Sequence, residues 1–243
     1  MDRLGLGYEV VSKRNPGTVY ACVRGFGDPR TGESPYAEWP CLDAAAQSFG
    51  GLVYANDNLV TPALADIFSG TLMGLGVVSA IHHAKKTGKG QFLDVSMYDA
   101  MMAFQKSAVA QYGFTGKPNP AGLQRAMTLY PFDLFPAKDG RVSIAVGNPH
   151  HWDLLCAAMD RADLMTDERS ASNAARLENV DWVEEQICSW TTKHTRAEIM
   201  EKLNGTIPAG PVQNMADIYE DPHVEARGML EVCDPGGDNP DIS

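Results

Sequence analysis

A long apolar run entered by a single acidic residue sets the architecture open to this chain. Thr61-Pro-Ala-Leu-Ala-Asp66-Ile-Phe-Ser-Gly70 continues into Thr-Leu-Met-Gly-Leu-Gly-Val-Val-Ser-Ala-Ile81. A helix over 67–84 would have almost no polar face, and a helix apolar on every side belongs inside a core. The run therefore predicts a buried helix around which neighbouring elements pack. Asp66 stands at its entrance, where Asp is a preferred N-cap. There the free N–H groups and the positive end of the helix dipole favour the ionised carboxylate. An ionised, partly desolvated carboxylate is also the form in which Asp acts as a nucleophile. Gly70 and Gly74 predict that a second backbone approaches this helix closely.

With 243 residues the chain suits one large domain or two small ones. A chain of this size buries about 70–75% of its unfolded surface, so no staples are needed. The formal charge of -11 and pI near 4.9 argue against nucleic acid and anionic membranes, whose binding rests on clustered Lys and Arg. Cys22, Cys41, Cys156, Cys188 and Cys233 are odd in number and widely spaced, which suits reduced thiols in a cytoplasmic protein. The start has no apolar signal region, and the 67–81 run reads as too short and too glycine-rich for a membrane span, so a soluble protein is expected.

The patterning predicts a helix over 3–13, a strand over 18–24 stopped by Gly25-Phe26-Gly27, and an Ala-rich helix over 41–49 closed by Gly50-Gly51. After the apolar helix come a turn at 87–90, a strand over 91–96 and a helix over 97–112. This order reads as α/β with parallel pairing. A loop-like stretch over 113–128 marks a domain boundary. Asp139-Gly140 between two β-rich runs predicts a hairpin with a type I′ turn. Helices over 149–159, 176–192 and 195–204 follow, with Trp152, Trp182 and Trp190 for their core. Residues 214–227 read as helical in pieces, and 229–232 as a strand.

Familiar chemistries fit poorly. The pairs His82-His83 and His150-His151 point apart on a helix, and His194 and His223 lack acidic partners at ligand spacing, so no metal is expected. No Gly-x-Ser-x-Gly elbow and no full dinucleotide fingerprint is present. Gly25-Phe26-Gly27 after a strand is the kind of exit where an open α/β sheet lets a ligand approach backbone.

Taken in order, Gly25-Phe-Gly27, Asp43-Ala-Ala-Ala-Gln47, Gly50-Gly51, Ala65-Asp66, Thr87-Gly-Lys-Gly-Gln91 and Asp94-Val-Ser-Met97-Tyr-Asp99 resemble the family III CoA-transferases of CaiB/BaiF type. These include 2-methylacyl-CoA racemases as close relatives. The likeness continues through Phe135-Pro-Ala-Lys-Asp-Gly140, Asn173-Ala-Ala-Arg176, Pro208-Ala-Gly-Pro-Val212 and Asp221-Pro-His-Val-Glu-Ala-Arg-Gly-Met229.

The resemblance implies an incomplete Rossmann-like large domain (1–120), a smaller α+β domain (121–220) and the start of a return to the large domain (221–243). It implies that Asp66 attacks an acyl-CoA thioester and passes CoA to an acceptor carboxylic acid through an aspartyl-CoA intermediate, with no permanently bound cofactor. It places Gly25, Phe26, Gly27, Leu42 and Met97 around the CoA thioester, Met97 aligning with a methionine that lines the substrate pocket in the family. It also implies an interlocked homodimer in the intact form. Leu42 stands where racemases carry a histidine base and transferases often a tyrosine; leucine moves no proton, which favours transfer over racemisation, and a catalytically silent truncated subunit is the third reading. Family members begin with a nucleotide-fold segment that precedes the residue aligned with Met1, and their glycine loop has no recognisable counterpart over 122–130.

Overall fold

The computed structural model describes residues 1–122, 128–203 and 205–231. The chain forms two compact units, Met1–Gln124 and Arg125–Ser243.

In the first unit a 3-10 turn over Asp2–Leu4 precedes α1 (Tyr8–Arg14), so the helix expected over 3–13 is interrupted at Gly5–Gly7. Two strands, β1 (Tyr20–Arg24) and β2 (Phe92–Ser96), pair in parallel with Tyr20 opposite Phe92 and Arg24 opposite Ser96. Parallel strands need a crossover connection. Here it contains α2 (Asp43–Phe49), α3 (Leu52–Asn56) and α4 (Leu64–Thr87). Tyr8 closes one end of the pair against Tyr20 and Phe92, with ring centroids 5.9 and 5.4 Å away. After β2 the Ser96 hydroxyl caps α5 (Met97–Phe104) by accepting from the Asp99 N–H. Gln105, at φ -87° and ψ 21°, then separates α5 from α6 (Lys106–Thr115), where the pattern predicts one continuous helix.

The apolar helix departs from expectation in three ways. It starts at Leu64 with Ala63 as N-cap, so Asp66 is its third residue and not its cap. Only the stripe Ala65, Ser69, Met73 and Ala80 is buried, while Ile67, Leu75, Val78 and Ile81 are exposed. Those four buried positions lie on one side of a 3.6-residue helix, the side that meets α2, α5 and the strand pair. A Cβ added at Gly70 or Gly74 would meet nothing within 4 Å, so no second backbone uses that gap among the described residues. At 24 residues α4 is also long and apolar enough to cross a membrane by length and composition, with 22% of its most apolar window buried.

The second unit is α+β. Strands β3 (Phe132–Ala137), β4 (Gly140–Ala145) and β5 (Ala209–Pro211) form an antiparallel sheet with β4 in the middle. Ala137 pairs with Gly140, so the loop residues of the hairpin are Lys138 and Asp139. Positive φ falls on Gly140 alone (154°), which rules out the expected type I′ turn, since that turn needs positive φ at both central residues. Helices α7 (Pro149–Ala158), α8 (Asn173–Glu178), α9 (Val180–Thr191) and α10 (Arg196–Leu203) pack a core that contains Trp152, Leu155, Val183, Ile187, Trp190 and Ile199 against Phe135, Val142 and Ile144. Asn179 separates α8 from α9, which the sequence reads as one helix. Asn173 and Arg176 tie the entry to β3: Asn173 accepts from the Tyr130 N–H and donates to the Thr128 carbonyl, and Arg176 Nε donates to the Tyr130 carbonyl at 2.7 Å. The short helices α11 (Met215–Tyr219) and α12 (Pro222–Ala226) follow. Residues 229–231 form no strand; the last residue of that expectation, the return over 232–243 and Cys233 lie outside the described residues, as do 123–127 of the 122–130 loop.

Candidate active site

The candidate site residues cluster at the carboxyl end of the parallel pair in the first unit. Gly25 leaves β1, and its carbonyl accepts from the Tyr98 N–H at 3.0 Å and the Ser96 hydroxyl at 3.2 Å, stitching the exit of β1 to the start of α5. A Cβ on Gly25 would lie 2.1 Å from the Cys41 Cβ. The absence of a side chain at Gly25 is therefore what lets the segment before α2 lie directly on the strand end. Phe26 is buried among Phe49, Tyr36 and Tyr98, with centroids 5.0, 5.4 and 6.2 Å away. Gly27 turns the chain at φ 80°.

Charge fixes the loop beyond. The Asp28 N–H and the Thr31 hydroxyl both donate to Asp94 Oδ2, at 2.9 and 2.6 Å. The Asp28 carboxylate accepts from the guanidinium groups of Arg24 and Arg30, and Arg30 reaches on to Glu9 at 2.8 Å. Burial pushes the Asp28 carboxyl up, but the Arg30 hydrogen bonds, helped by Arg24, hold it below the usual carboxylate range. A cavity of about 360 Å³ opens here, lined in part by Phe26, Gly27, Tyr36, Asp94, Tyr98 and Asp99.

Asp66 sits in the first turn of α4 and is exposed, so the partial desolvation expected of it is not found within this chain. Only the α4 stripe through Ala65 is covered, and Asp66 lies beside that stripe. Its neighbourhood is nevertheless defined. Ala65 shares a buried cluster with Met97, Met101, Ala46 and Leu52, and Cys41 and Phe68 pack on it. Burial, and after it the Asp66 carboxylate, push the Cys41 thiol above its ordinary range. The structure thus brings Gly25, Cys41, Met97 and Asp66 to one end of the sheet. Met97 is core there, at 7% exposure, and Leu42 is 80% exposed. Asp66, Met97 and Leu42 do not line the cavity beside Gly27.

Two residues that sequence reasoning noticed only in passing organise the approach to Asp66. Asp43 Oδ1 accepts from the Ala65 N–H at 2.8 Å, capping α4 from another helix. Gln47, fully buried, donates from Nε2 to Asp43 Oδ2 and to the Val60 carbonyl, both at 2.8 Å, and accepts from the Val60 N–H at 2.9 Å. The available signal was the four-residue spacing of an acid and an amide on one face of an Ala-rich helix. Among the described residues no group of three His, Cys, Asp or Glu side chains is placed to hold a metal.

The chain is similar to known proteins over nearly its whole length. Residues 1–241 match the model of CoA-transferase family III. The chain is 38% identical to the succinyl-CoA:mesaconate CoA-transferase of Haloarcula marismortui over 98% of its own length and 62% of that relative. It is 33% identical to the acetyl-CoA:oxalate CoA-transferase of Acetobacter aceti over 95% of its length and 60% of that protein. A CaiB/BaiF family protein from Brucella suis superposes with a TM-score of 0.77 at 30% identity, over 94% of this chain and 61% of that one. The chain therefore spans about three fifths of the length of the relatives it matches. On the extent of these matches and the order of its motifs, the chain belongs to CoA-transferase family III.

Proposed function

We propose that this chain carries the exchange centre of an acyl-CoA:carboxylate CoA-transferase with Asp66 as nucleophile. The observation that carries the reading is the place of Asp66: an accessible carboxylate in the first turn of a 24-residue helix, in a chain of this family, at the open end of a parallel strand pair. In the proposed cycle an Asp66 oxygen attacks the donor thioester carbonyl, forming a mixed anhydride as the CoA thiolate leaves. The thiolate then attacks the Asp66 carbonyl, releasing the donor acid as a carboxylate and leaving an aspartyl-CoA thioester. The acceptor carboxylate attacks that thioester, the C–S bond breaks to release the CoA thiolate again, and a second anhydride forms. The thiolate attacks the acceptor acyl carbon, which frees Asp66 and gives the new thioester. No proton moves at carbon in these steps, in keeping with leucine at position 42.

The α4 terminus suits this chemistry. Its dipole stabilises oxyanions formed beside it. Relatives act, by their names, on succinyl-CoA with mesaconate and on acetyl-CoA with oxalate, so a short dicarboxylic acid is the acceptor class we propose. The intact enzyme is proposed to work in the cytoplasm as a homodimer. The test is incubation with succinyl-CoA and mesaconate or oxalate, followed by mass spectrometry of the peptide holding Asp66. The expected result is a CoA adduct on Asp66 that hydroxylamine converts to the hydroxamate, and loss of transfer in Asp66→Ala. Transfer in Asp66→Ala within tenfold of the parent, or no adduct at Asp66, refutes the reading. Solvent deuterium entering the α-carbon of a 2-methylacyl-CoA would turn it toward racemisation.

A further inference from the structure

Asp66 is exposed, yet the residue before it is fully buried and its backbone is held from a separate helix. We infer that Asp43 and Gln47 are positioning residues, a polar clamp on α2 that fixes the backbone of 60–65 and with it the direction in which Asp66 leaves α4. The inference rests on Asp66 as nucleophile and assigns the source of its orientation.

The hydrogen bonds of the clamp run in only one sense. The Val60 N–H must donate and its carbonyl must accept, so the Gln47 amide is fixed with Oε1 toward the one and Nε2 toward the other. The same Nε2 points its second hydrogen at Asp43 Oδ2, and the Ala65 N–H donates to Oδ1. Asp43 must therefore accept at both oxygens, which an ionised carboxylate does and an amide does not. Asp43→Asn is nearly the same size but sets two donors against each other, at either Gln47 or Ala65. Gln47→Leu leaves the Val60 N–H and carbonyl without their side-chain partners. Both changes loosen the segment leading into α4 while leaving the Asp66 side chain as it is.

Displacing a nucleophile by about 1 Å costs on the order of a hundredfold in rate. The experiment is a single-turnover measurement on the full chain. Protein is mixed with saturating succinyl-CoA in excess over it, with no acceptor acid present, and quenched at intervals, and the CoA adduct on the Asp66 peptide is counted by mass spectrometry. The first-order rate constant does not depend on the fraction of molecules folded, whereas the amplitude does. A purely structural role would lower amplitude alone. The expected result is a rate constant at least tenfold below the parent in Asp43→Asn and Gln47→Leu, with the KM for succinyl-CoA within threefold. A smaller fall in rate overturns the inference, as does failure of both variants to keep the helical far-ultraviolet signal; if one unfolds, the other decides. No adduct in the parent removes the nucleophile assignment itself, and the clamp's role with it. An adduct in the parent with unchanged rates in the variants removes only the clamp.

Discussion

Gly25→Ala tests the packing on which the site's geometry depends. The new Cβ would stand 2.1 Å from the Cys41 Cβ and 2.8 Å from its Sγ. Carbon atoms rest at about 3.5–4.0 Å, so the overlap exceeds about 1 Å and one segment must move. Gly25 is held by two hydrogen bonds to its carbonyl, so the movement falls on the segment around Cys41, next to Asp43. Overpacking of this kind costs about 1–3 kcal/mol. The structure also specifies the rescue. Without the Cys41 side chain, the nearest atom on the facing segment would be the Cys41 Cα at 3.5 Å, an ordinary contact. In a Cys41→Gly background, Gly25→Ala should cost almost nothing beyond what Cys41→Gly costs, giving a coupling energy of about 1–3 kcal/mol. Urea unfolding of the parent, the two single variants and the double variant, read by far-ultraviolet circular dichroism, measures it. Additivity within about 0.5 kcal/mol would show that Gly25 and Cys41 do not meet as described.

Other expectations follow from particular contacts. Asp66→Ala should leave stability within about 0.5 kcal/mol of the parent while abolishing transfer, because the side chain is exposed; a large fall in melting temperature would contradict its placement. Arg176→Met in the second unit removes the donors to the Tyr130 and Ser170 carbonyls and should cost about 3 kcal/mol in denaturant unfolding; a loss below about 1 kcal/mol would mean those bonds are not made. Asp28 titrates below its unfolded value near 3.9, so its contribution is complete above about pH 4 and is lost as pH falls through the folded value. Asp28→Asn should therefore be less stable than the parent at pH 7, with the gap closing toward pH 2, and a gap independent of pH would refute the assignment. Gly140→Ala meets both φ 154° and the Arg196 side chain at 3.2 Å and should cost about 1 kcal/mol in thermal unfolding; a neutral substitution would contradict that geometry.

What the sequence makes legible here is what local patterning controls. The β-rich runs that become β1 and β2 are bounded by glycine and turn residues, and a crossover long enough to hold helices makes parallel pairing the natural outcome. Asp139-Gly140 announces a hairpin, although Asp139 serves it by accepting the Arg196 N–H at 2.7 Å and not by adopting positive φ. Burial of α4 was not legible. Apolarity on all its sides identifies a helix able to be covered, but not the stripe that this chain covers, and the stripe chosen runs through Ala65, Ser69 and Ala80. The cap of α4 was hidden for a related reason. Its acceptor lies 22 residues away in Asp43, so local capping rules turn to the nearest acid, Asp66, and give it the wrong task.

That misassignment bears on how an aspartate can serve the exchange we propose. A carboxylate committed to capping its own helix spends its oxygens on backbone N–H groups, and an oxygen held that way is a weaker nucleophile. Moving the cap to Asp43 leaves the Asp66 oxygens without a backbone donor among the described residues. The exchange also requires the Asp66 carbonyl carbon to be attacked from outside, first by a thiolate and then by a carboxylate, so the group cannot be sealed in a core. Order must then come from the backbone, and Ala65, with no exposed surface and its N–H held by Asp43, supplies it one residue away. An open carboxylate on a buried mooring meets both demands, and it requires that the two tasks fall to two different acids.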